Sequence, residues 1–267
     1  MPHKDSSRIN GNTRRLIGFD FHGKFRPHSR VLWPILAVTI CACAGCGGGG
    51  DGAAPPASNA QQSPVKQITV RQYGDSTTSG LTFVSGAYIT AKPTAAERLY
   101  ADLQAQFGGA VKVDDQGVPA TCAVNLLNGD GVHAPFAREI QTTSAQLITF
   151  NFAINDSYHC GETTDSFADH LAQLIQLARG AGKTVVLEEP NPVTAPMIPN
   201  VAAYSAVVDQ MAQSRGVPLV KQYAEIQALA GWQQMLPDGI HPNEALYAVK
   251  GDREAQVIAP IVKQLLQ

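Results

Sequence analysis

The sequence predicts an α/β domain built as a three-layer α/β/α sandwich of the flavodoxin-like type, with a five-stranded parallel sheet. Along residues 67–267, short apolar or β-branched stretches alternate with longer stretches of helical periodicity. Strands joined by helices favour a parallel sheet that is covered by helices on both faces. The stretch 147–152, Leu-Ile-Thr-Phe-Asn-Phe, is strongly apolar, which is typical of a strand buried on both faces.

Five strands are predicted. The first, residues 67–72, alternates loosely, carries two β-branched apolar residues and runs into a turn. The others are short apolar runs at 120–127, 147–152, 184–187 and 217–220. The stretches 77–93, 108–119 and 190–199 carry no readable pattern, and they are predicted to be loops that set substrate specificity.

Helices are predicted between these strands. Thr94, with Glu97 three residues on, forms a capping box at the start of a helix that runs to about Phe107. Asp165 is predicted to cap a helix that ends at Gly180. The remaining predicted helices begin at about 134 and cover about 200–214, 223–230 and 243–266.

The front of the chain, residues 1–46, has the layout of an export signal. Residues 1–30 are polar and basic, and residues 31–45 are apolar and uncharged. The apolar run is too short to form a stable transmembrane helix. A basic segment followed by a short apolar one therefore predicts a secretory signal.

The apolar run ends in small residues before a cysteine. Ala44 and Gly45 precede Cys46, which resembles the signal of bacterial lipoproteins, whose new N-terminal cysteine is lipidated. Cys43 is the second candidate, and an uncleaved anchor or an ordinary cleaved signal are the alternatives. Residues 47–66, rich in Gly, Ala, Pro, Ser and Gln, predict a flexible tether. The resemblance implies a protein of the bacterial cell envelope on an N-terminal lipid anchor in a membrane, with secretion as the alternative.

The charge of the remaining chain excludes some partners. The full chain carries 20 Lys and Arg against 22 Asp and Glu. Removing residues 1–45 takes away 7 basic and 2 acidic residues, which leaves 13 against 20 and a net charge of -7. Such an acidic domain is a poor candidate for binding nucleic acid. Residues 67–267 have the length of one domain, and the sequence leaves the oligomeric state open.

Two cysteines, Cys122 and Cys160, remain in the predicted domain. An even pair in an exported chain favours a disulfide. The predicted elements argue against contact, because Cys122 lies early in a predicted strand and Cys160 lies in a loop beyond the far end of another. Both alternatives stay open.

A serine follows the first predicted strand, in Tyr-Gly-Asp-Ser-Thr-Thr at 73–78. In an α/β sheet, residues at the carboxyl ends of strands face the crevice where ligands bind. Gly74 permits a backbone bend that other residues resist. Ser76 is therefore a candidate nucleophile, although Asp and Ser also occur in ordinary turns.

An aspartate and a histidine stand three residues apart near the end of the chain, in Leu-Pro-Asp-Gly-Ile-His-Pro-Asn at 236–243. On a turn, this spacing lets Asp238 accept a hydrogen bond from one ring nitrogen of His241. The other nitrogen is then free to take a proton from a serine. The alternative is a capped turn with an incidental histidine.

Two further residues could stabilise a negatively charged oxygen. Asn155 follows the strand predicted at 147–152, and its side-chain amide could donate to a developing oxyanion. Gly129, in the turn after the strand predicted at 120–127, could donate its backbone N–H, with Gly131 as a substitute. Both positions are also explained by ordinary turns.

Together these residues resemble the SGNH superfamily of GDSL-type esterases and lipases. The matching residues are Ser76, Gly129, Asn155, Asp238 and His241, in the family's order along residues 67–267. The sequence departs from the family where Gly-x-Asn-Asp is expected, because Ala153 and Ile154 precede Asn155 and Asp156.

The resemblance implies a serine hydrolase that cleaves carboxylic esters through an acyl-enzyme, without a cofactor or a metal. Ser76 would be the nucleophile, His241 the general base and Asp238 its orienting acid. The oxyanion hole would comprise Ser76, Gly129 and Asn155. The substrate would be a small-molecule, glycan or lipid ester. The alternatives are a carbohydrate O-acetylesterase acting on envelope polysaccharide and a non-catalytic binding lipoprotein of the same fold, which Ile154 favours.

Overall fold

The computed structural model describes residues 66–267, so the predicted signal and nearly all of the predicted tether lie outside the described residues. The strands are β1 (Ile68–Gly74), β2 (Leu81–Val84), β3 (Ala87–Thr90), β4 (Val111–Gly117), β5 (Leu147–Asn151), β6 (Thr184–Glu188) and β7 (Leu219–Val220). The helices are α1 (Ala95–Phe107), α2 (Ala123–Asn128), α3 (Phe136–Thr142), α4 (Thr164–Gly180), α5 (Val201–Arg215), α6 (Tyr223–Gln227) and α7 (Glu244–Leu266).

Five strands form a parallel sheet in the order β4-β1-β5-β6-β7. Strand β1 lies inside the sheet, and its last residue, Gly74, lies opposite Gly117 of β4 and Asn151 of β5. Strands β4 and β5 lie on opposite sides of β1, so the strand order reverses at this point of the sheet. In folds of this type, ligands bind at the carboxyl ends of the strands where the order reverses. The predicted α/β sandwich is confirmed.

Helices cover both faces of the sheet. On one face, apolar side chains of β1 such as Val70 pack in a cluster with Leu99 of α1 and Ile258 of α7. On the other face, Tyr73 and Phe150 pack with side chains of α2, α3, α4 and α5. The two clusters follow from alternation along β1, because successive side chains of a strand point to opposite faces. Among residues 66–267, no helix is both long enough and apolar enough to cross a membrane.

The predicted second strand is wrong. Residues 123–128 form helix α2, and the sheet strand is β4 at 111–117. A short apolar run such as 120–127 is compatible with either a strand or a buried helix. Strand β4 lies at the edge of the sheet and carries polar side chains, so it lacks the apolar pattern of a central strand.

Residues predicted to be a featureless loop contain a hairpin. Strands β2 and β3 pair antiparallel, with Phe83 opposite Tyr88. The two residues of the turn, Ser85 and Gly86, have φ of 50° and 87°. Positive φ at both central residues is the geometry of the tight turn that joins strands with the normal twist. The sequence signal is weak, because serine is uncommon at such a position.

The helix starts agree closely with the predictions. Thr94 caps α1 with the predicted Glu97 contact, and Asn243 caps α7 by accepting a hydrogen bond from the Leu246 N–H. Helix α4 differs, because Thr163 is its cap and Asp165 lies in its first turn. An aspartate in the first turn still stabilises the helix by facing the positive end of its dipole.

A disulfide joins Cys122 to Cys160, with Cα atoms 6.5 Å apart. The expectation against contact depended on the wrong strand at 120–127. Because Cys122 instead precedes α2, it faces the loop that follows β5. The bridge closes a sequence separation of 38 residues.

Removing this bridge should destabilise the domain. A loop of this length corresponds to about 2–4 kcal/mol of lost chain entropy in the unfolded state. We expect the Cys122→Ala/Cys160→Ala variant to lose that much free energy of unfolding in urea denaturation. Wild-type protein under reducing conditions should match the variant, and equal stability of oxidised and reduced protein would contradict the expectation.

Candidate active site

The candidate site lies at the carboxyl edge of the sheet, just past the end of β1. Gly74 ends β1, and a Cβ at this position would lie 2.0 Å from Thr78 Oγ1 and 2.5 Å from Asn151 O. The glycine is therefore required by close packing rather than by the bend expected from the sequence. The turn after it is closed by the Asp75 carbonyl, which accepts hydrogen bonds from the N–H groups of Thr78 and Ser79.

Three side chains form one hydrogen-bonded chain at this edge. Ser76 Oγ lies 2.8 Å from His241 Nε2, and His241 Nδ1 lies 2.6 Å from Asp238 Oδ2. Both Ser76 and His241 are buried at 8% exposure. The structure thus brings together the predicted nucleophile, base and acid, which the sequence separates by more than half of the chain.

The turn before α7 fixes Asp238 as an anion. Its Oδ1 accepts hydrogen bonds from the N–H groups of Ile240 and His241, at 3.0 and 2.8 Å. Burial alone would raise the pKa of Asp238, but the hydrogen bonds from the His241 side chain and from these two N–H groups hold it well below its ordinary value. The ionised carboxylate orients the imidazole with Nδ1 toward it and leaves Nε2 facing the serine.

Asp75 has a different role from Asp238. Its carboxylate accepts hydrogen bonds from the N–H and the hydroxyl of Thr77, at 2.7 and 2.8 Å. Burial raises the pKa of Asp75 despite these bonds. Asp75 therefore shapes the turn that presents Ser76.

Asn155 lies beside the serine turn. Its Nδ2 donates to the carbonyl of Thr121 at 3.0 Å and lies 3.4 Å from Asp75 Oδ2. The backbone before it is strained, because Ala153 has a φ of 134°. This alanine stands where the SGNH pattern has glycine, and a non-glycine residue in such a conformation costs on the order of 1–3 kcal/mol. Asp156 Oδ2 holds it by accepting the Ala153 N–H at 2.9 Å.

Gly129 was predicted as an oxyanion donor because it would follow a strand at 120–127, and that strand is wrong. Gly129 ends helix α2, where its φ is 94°, and does not follow a sheet strand. Gly131 lies in the same loop, and a Cβ there would have no atom within 4 Å. The segment that follows β4 and lies next to Asn155 is 118–121, and within it Ala120 has a φ of 63°. Sequence reasoning missed it because alanine does not signal such a conformation.

A second Asp-Gly-x-His turn occurs at 130–133. His133 Nδ1 lies 2.7 Å from Asp130 Oδ2, just as in the turn at 238–241, but its Nε2 lies 3.0 Å from Gln116 Oε1. The His133 ring also packs edge-on against Tyr73. The motif alone therefore does not identify a catalytic base. His241 differs from His133 because its Nε2 contacts the hydroxyl of Ser76.

Ile154 does not point into the site. Its side chain is buried at 2% exposure in a cluster with Ala195, Ile198 and Val201. Ile154, at the variable position of the motif, is therefore part of the core.

Among residues 66–267, no group of three His, Cys, Asp or Glu side chains is arranged to hold a metal ion.

A hydroxyl, an imidazole and a carboxylate at the carboxyl edge of an α/β sheet form the arrangement of a serine hydrolase. The model of the GDSL-like Lipase/Acylhydrolase family matches residues 73–249. The chain belongs to this family and is an ester hydrolase, as predicted. The alternative of a non-catalytic binding protein is not retained.

Solved structures of esterases share this fold. A lipase/acylhydrolase from Enterococcus faecalis is 19% identical, with 73% of this chain and 97% of that chain covered and a TM-score of 0.61. An acetylxylan esterase from Geobacillus stearothermophilus is 17% identical, with 73% and 95% covered and a TM-score of 0.57. A carbohydrate acetylesterase from Sinorhizobium meliloti is 15% identical, with 73% and 100% covered and a TM-score of 0.58. No curated protein sequence matches the chain significantly.

The stability of the domain should depend on the protonation of Asp156. Burial raises the pKa of this carboxyl to about 7, although the N–H groups of Ala123 and Ala153 donate to it. In an unfolded chain the pKa of an aspartate is about 3.9. Between these values the folded state holds a proton that the unfolded state has lost, so the free energy of unfolding falls as pH rises.

We expect wild-type protein to lose on the order of 1–3 kcal/mol of stability between pH 5 and pH 8, measured by urea denaturation at constant ionic strength. Asp156→Asn should make this dependence shallower. Asp169→Asn, which alters an exposed aspartate of α4, is the control and should leave it unchanged. If the free energy of unfolding of Asp156→Asn falls as steeply with pH as that of wild type, another group causes the pH dependence.

Proposed function

We propose that Ser76 is the nucleophile, His241 the general base and Asp238 the orienting acid of an acyl-enzyme mechanism on carboxylic esters. The observation that carries this proposal is the pair of short contacts, 2.8 Å from Ser76 Oγ to His241 Nε2 and 2.6 Å from His241 Nδ1 to Asp238 Oδ2. The 2.8 Å distance between Ser76 Oγ and His241 Nε2 lets the imidazole accept the hydroxyl proton as the serine oxygen attacks.

The reaction proceeds in two halves. Ser76 Oγ attacks the ester carbonyl while His241 Nε2 takes its proton, which gives a tetrahedral intermediate with a negatively charged oxygen. The intermediate collapses when the alcohol oxygen leaves with the proton from His241. Water, deprotonated by the same nitrogen, then attacks the acyl-serine and releases the acid. Asp238 remains ionised and balances the charge on the imidazolium.

The oxyanion is stabilised by three N–H donors. Within residues 66–267, no protein oxygen accepts a hydrogen bond from the N–H of Ser76 or of Ala120, so both are free to donate. The third donor is the Asn155 amide, which exchanges its long contact with Asp75 for the oxyanion. The N–H of Ala120 takes the donor role that was predicted for Gly129, because 118–121 is the segment beside Asn155.

Substitutions should separate these roles. Ser76→Ala should abolish nearly all hydrolysis of p-nitrophenyl acetate, whereas Asn155→Ala should lower kcat by about 10²–10³-fold, because it removes one oxyanion donor. Ser144→Ala, which alters an exposed serine outside the site, is the control and should retain activity within a few fold. Equal, mild losses in Ser76→Ala and Asn155→Ala would contradict the assignment.

A second candidate is a carbohydrate O-acetylesterase acting on envelope polysaccharide. Two structures that share the fold, from G. stearothermophilus and S. meliloti, are described as an acetylxylan esterase and a carbohydrate acetylesterase, which favours this alternative. Release of acetate from acetylated xylan, compared with hydrolysis of p-nitrophenyl butanoate, distinguishes a glycan deacetylase from a general esterase.

We also propose that the chain is exported and anchored in the bacterial cell envelope through a lipid on Cys46. The support is the basic and apolar order of residues 1–45 and the small residues before the cysteine. The tether at 47–66 would then let the hydrolase domain reach esters near the membrane.

The anchor can be tested by labelling cells with radioactive palmitate. Wild-type protein should incorporate label and fractionate with membranes, and Cys46→Ser should lose the label and become soluble. Cys43→Ser is the matched control and should remain labelled. Loss of label in Cys43→Ser alone would move the lipidation site, and no label on wild-type protein would exclude it.

A further inference from the structure

The hairpin of β2 and β3 is fixed to the nucleophile turn. The N–H of Leu81 donates to the carbonyl of Ser76 at 2.9 Å, and the N–H of Ala91 donates to Gly80 at 2.8 Å, which closes the base of the hairpin. The hydroxyl of Tyr247 on α7 donates to the carbonyl of Leu81 at 2.6 Å. The hairpin therefore keeps a constant position relative to Ser76 and to the helix that follows His241.

The free part of the hairpin is exposed and uncharged. Every residue of β3 is exposed, and residues 81–90, Leu-Thr-Phe-Val-Ser-Gly-Ala-Tyr-Ile-Thr, contain no Asp, Glu, Lys, Arg or His. Val84, Tyr88 and Ile89 are large apolar side chains that are 47%, 55% and 45% exposed. Tyr88 lies on the face of the hairpin that carries Phe83, whereas Val84 and Ile89 lie on the opposite face. An exposed aromatic side chain next to a catalytic site is typical of a binding surface.

Tyr88 connects this surface to the catalytic base. Its ring centroid lies 5.3 Å from that of His241, edge to face at 71°. The Tyr88 ring also packs against Phe83, with ring centroids 5.1 Å apart. Partial burial, together with the nearby charge of Asp238 and a hydrogen bond with it, raises the pKa of the Tyr88 hydroxyl, so this hydroxyl lies close to the acid that orients His241. Most of the ring nevertheless remains accessible.

The proposed mechanism decides which half of an ester meets Tyr88. The oxyanion donors include Asn155 and the segment 118–121, which lie together next to Asp75. The leaving oxygen must instead receive its proton from His241 Nε2. The alcohol half of the substrate therefore departs beside the imidazole, where Tyr88 packs.

We infer that Tyr88, presented by the β2–β3 hairpin, forms the subsite for the alcohol half of the substrate and selects an uncharged alcohol with a flat apolar face, such as an aryl group or the face of a sugar ring. This inference rests on the proposed function. The Tyr88 ring packs against Phe83 and His241, and the residue is 55% exposed, so its free surface is available for stacking. Because the hairpin carries no charge, it provides no ion pair for a charged alcohol.

The test uses three esters that separate the two halves of the substrate: ethyl acetate, benzyl acetate and ethyl butanoate. The first two share the acyl group and have alcohols of similar acidity, so their kcat/KM ratio reports recognition of the alcohol. Ethyl butanoate against ethyl acetate reports recognition of the acyl group. All three are measured by acid release with wild-type protein, Tyr88→Ala, Tyr88→Phe and Ile89→Ala.

We expect Tyr88→Ala to lower the benzyl-to-ethyl ratio roughly three- to tenfold, the size of an aromatic contact, while the butanoate-to-acetate ratio stays unchanged. Tyr88→Phe should keep both ratios, because it retains the ring. Ile89→Ala is the matched control, since its side chain is similarly exposed but lies on the opposite face of the same strand. It should also keep both ratios.

The inference is overturned if active Tyr88→Ala loses activity equally on ethyl and benzyl acetate, or if the acyl ratio changes instead. It is also overturned if Tyr88→Phe, which preserves the packing of the hairpin, loses the benzyl preference. Failure of the proposed function has a different signature. In that case, wild-type protein cleaves none of the three esters, or Ser76→Ala cleaves them as fast as wild type.

Discussion

The hydrogen bond between Ser76 and His241 joins residues 165 positions apart, and the site exists only because the fold holds their two turns together. The serine turn is a continuation of β1, which is held in register on both sides by β4 and β5. The histidine turn is fixed by Asp238 below it and by the capped start of α7 after it. Small displacements of either turn would lengthen the bond and weaken proton transfer.

Buried polar contacts beneath the site hold these parts in place. Gln72 of β1 donates to Glu254 of α7 at 2.8 Å, which links the strand before the nucleophile to the helix after the base. Asn151 of β5 donates to the carbonyl of Glu189 at 3.0 Å, and the Glu189 carboxylate accepts the N–H of Gln222. Lys250 is buried at 1% exposure in the same region, beside Glu188 and Glu254. Burying polar groups costs desolvation, and the hydrogen bonds between them fix the relative positions of strand ends and helices.

Sequence reasoning succeeded where local chemistry decides the structure. The cap of α1, the apolar strand β5 and the turn at 238–241 are set by their own residues. Prediction from the sequence failed for elements whose structure depends on their position in the tertiary fold. Edge strand β4 can carry polar side chains because most of them are partly exposed. Helix α2 is a short apolar run whose helical form depends on the helices around it. The wrong strand at 120–127 then misplaced Gly129 and obscured the contact of Cys122 with Cys160.

The site shows the same division. Ser76, His241, Asp238 and Asn155 could be named from motifs because their chemistry requires those residue types. Ala120 and Ala153 could not, because positive φ at an alanine is imposed by surrounding hydrogen bonds.

Activation of Ser76 by His241 can be tested by labelling folded wild-type protein with a fluorophosphonate and locating the adduct by peptide mass spectrometry. We expect a single adduct on Ser76. An adduct on another residue, or none on folded and active protein, would contradict it.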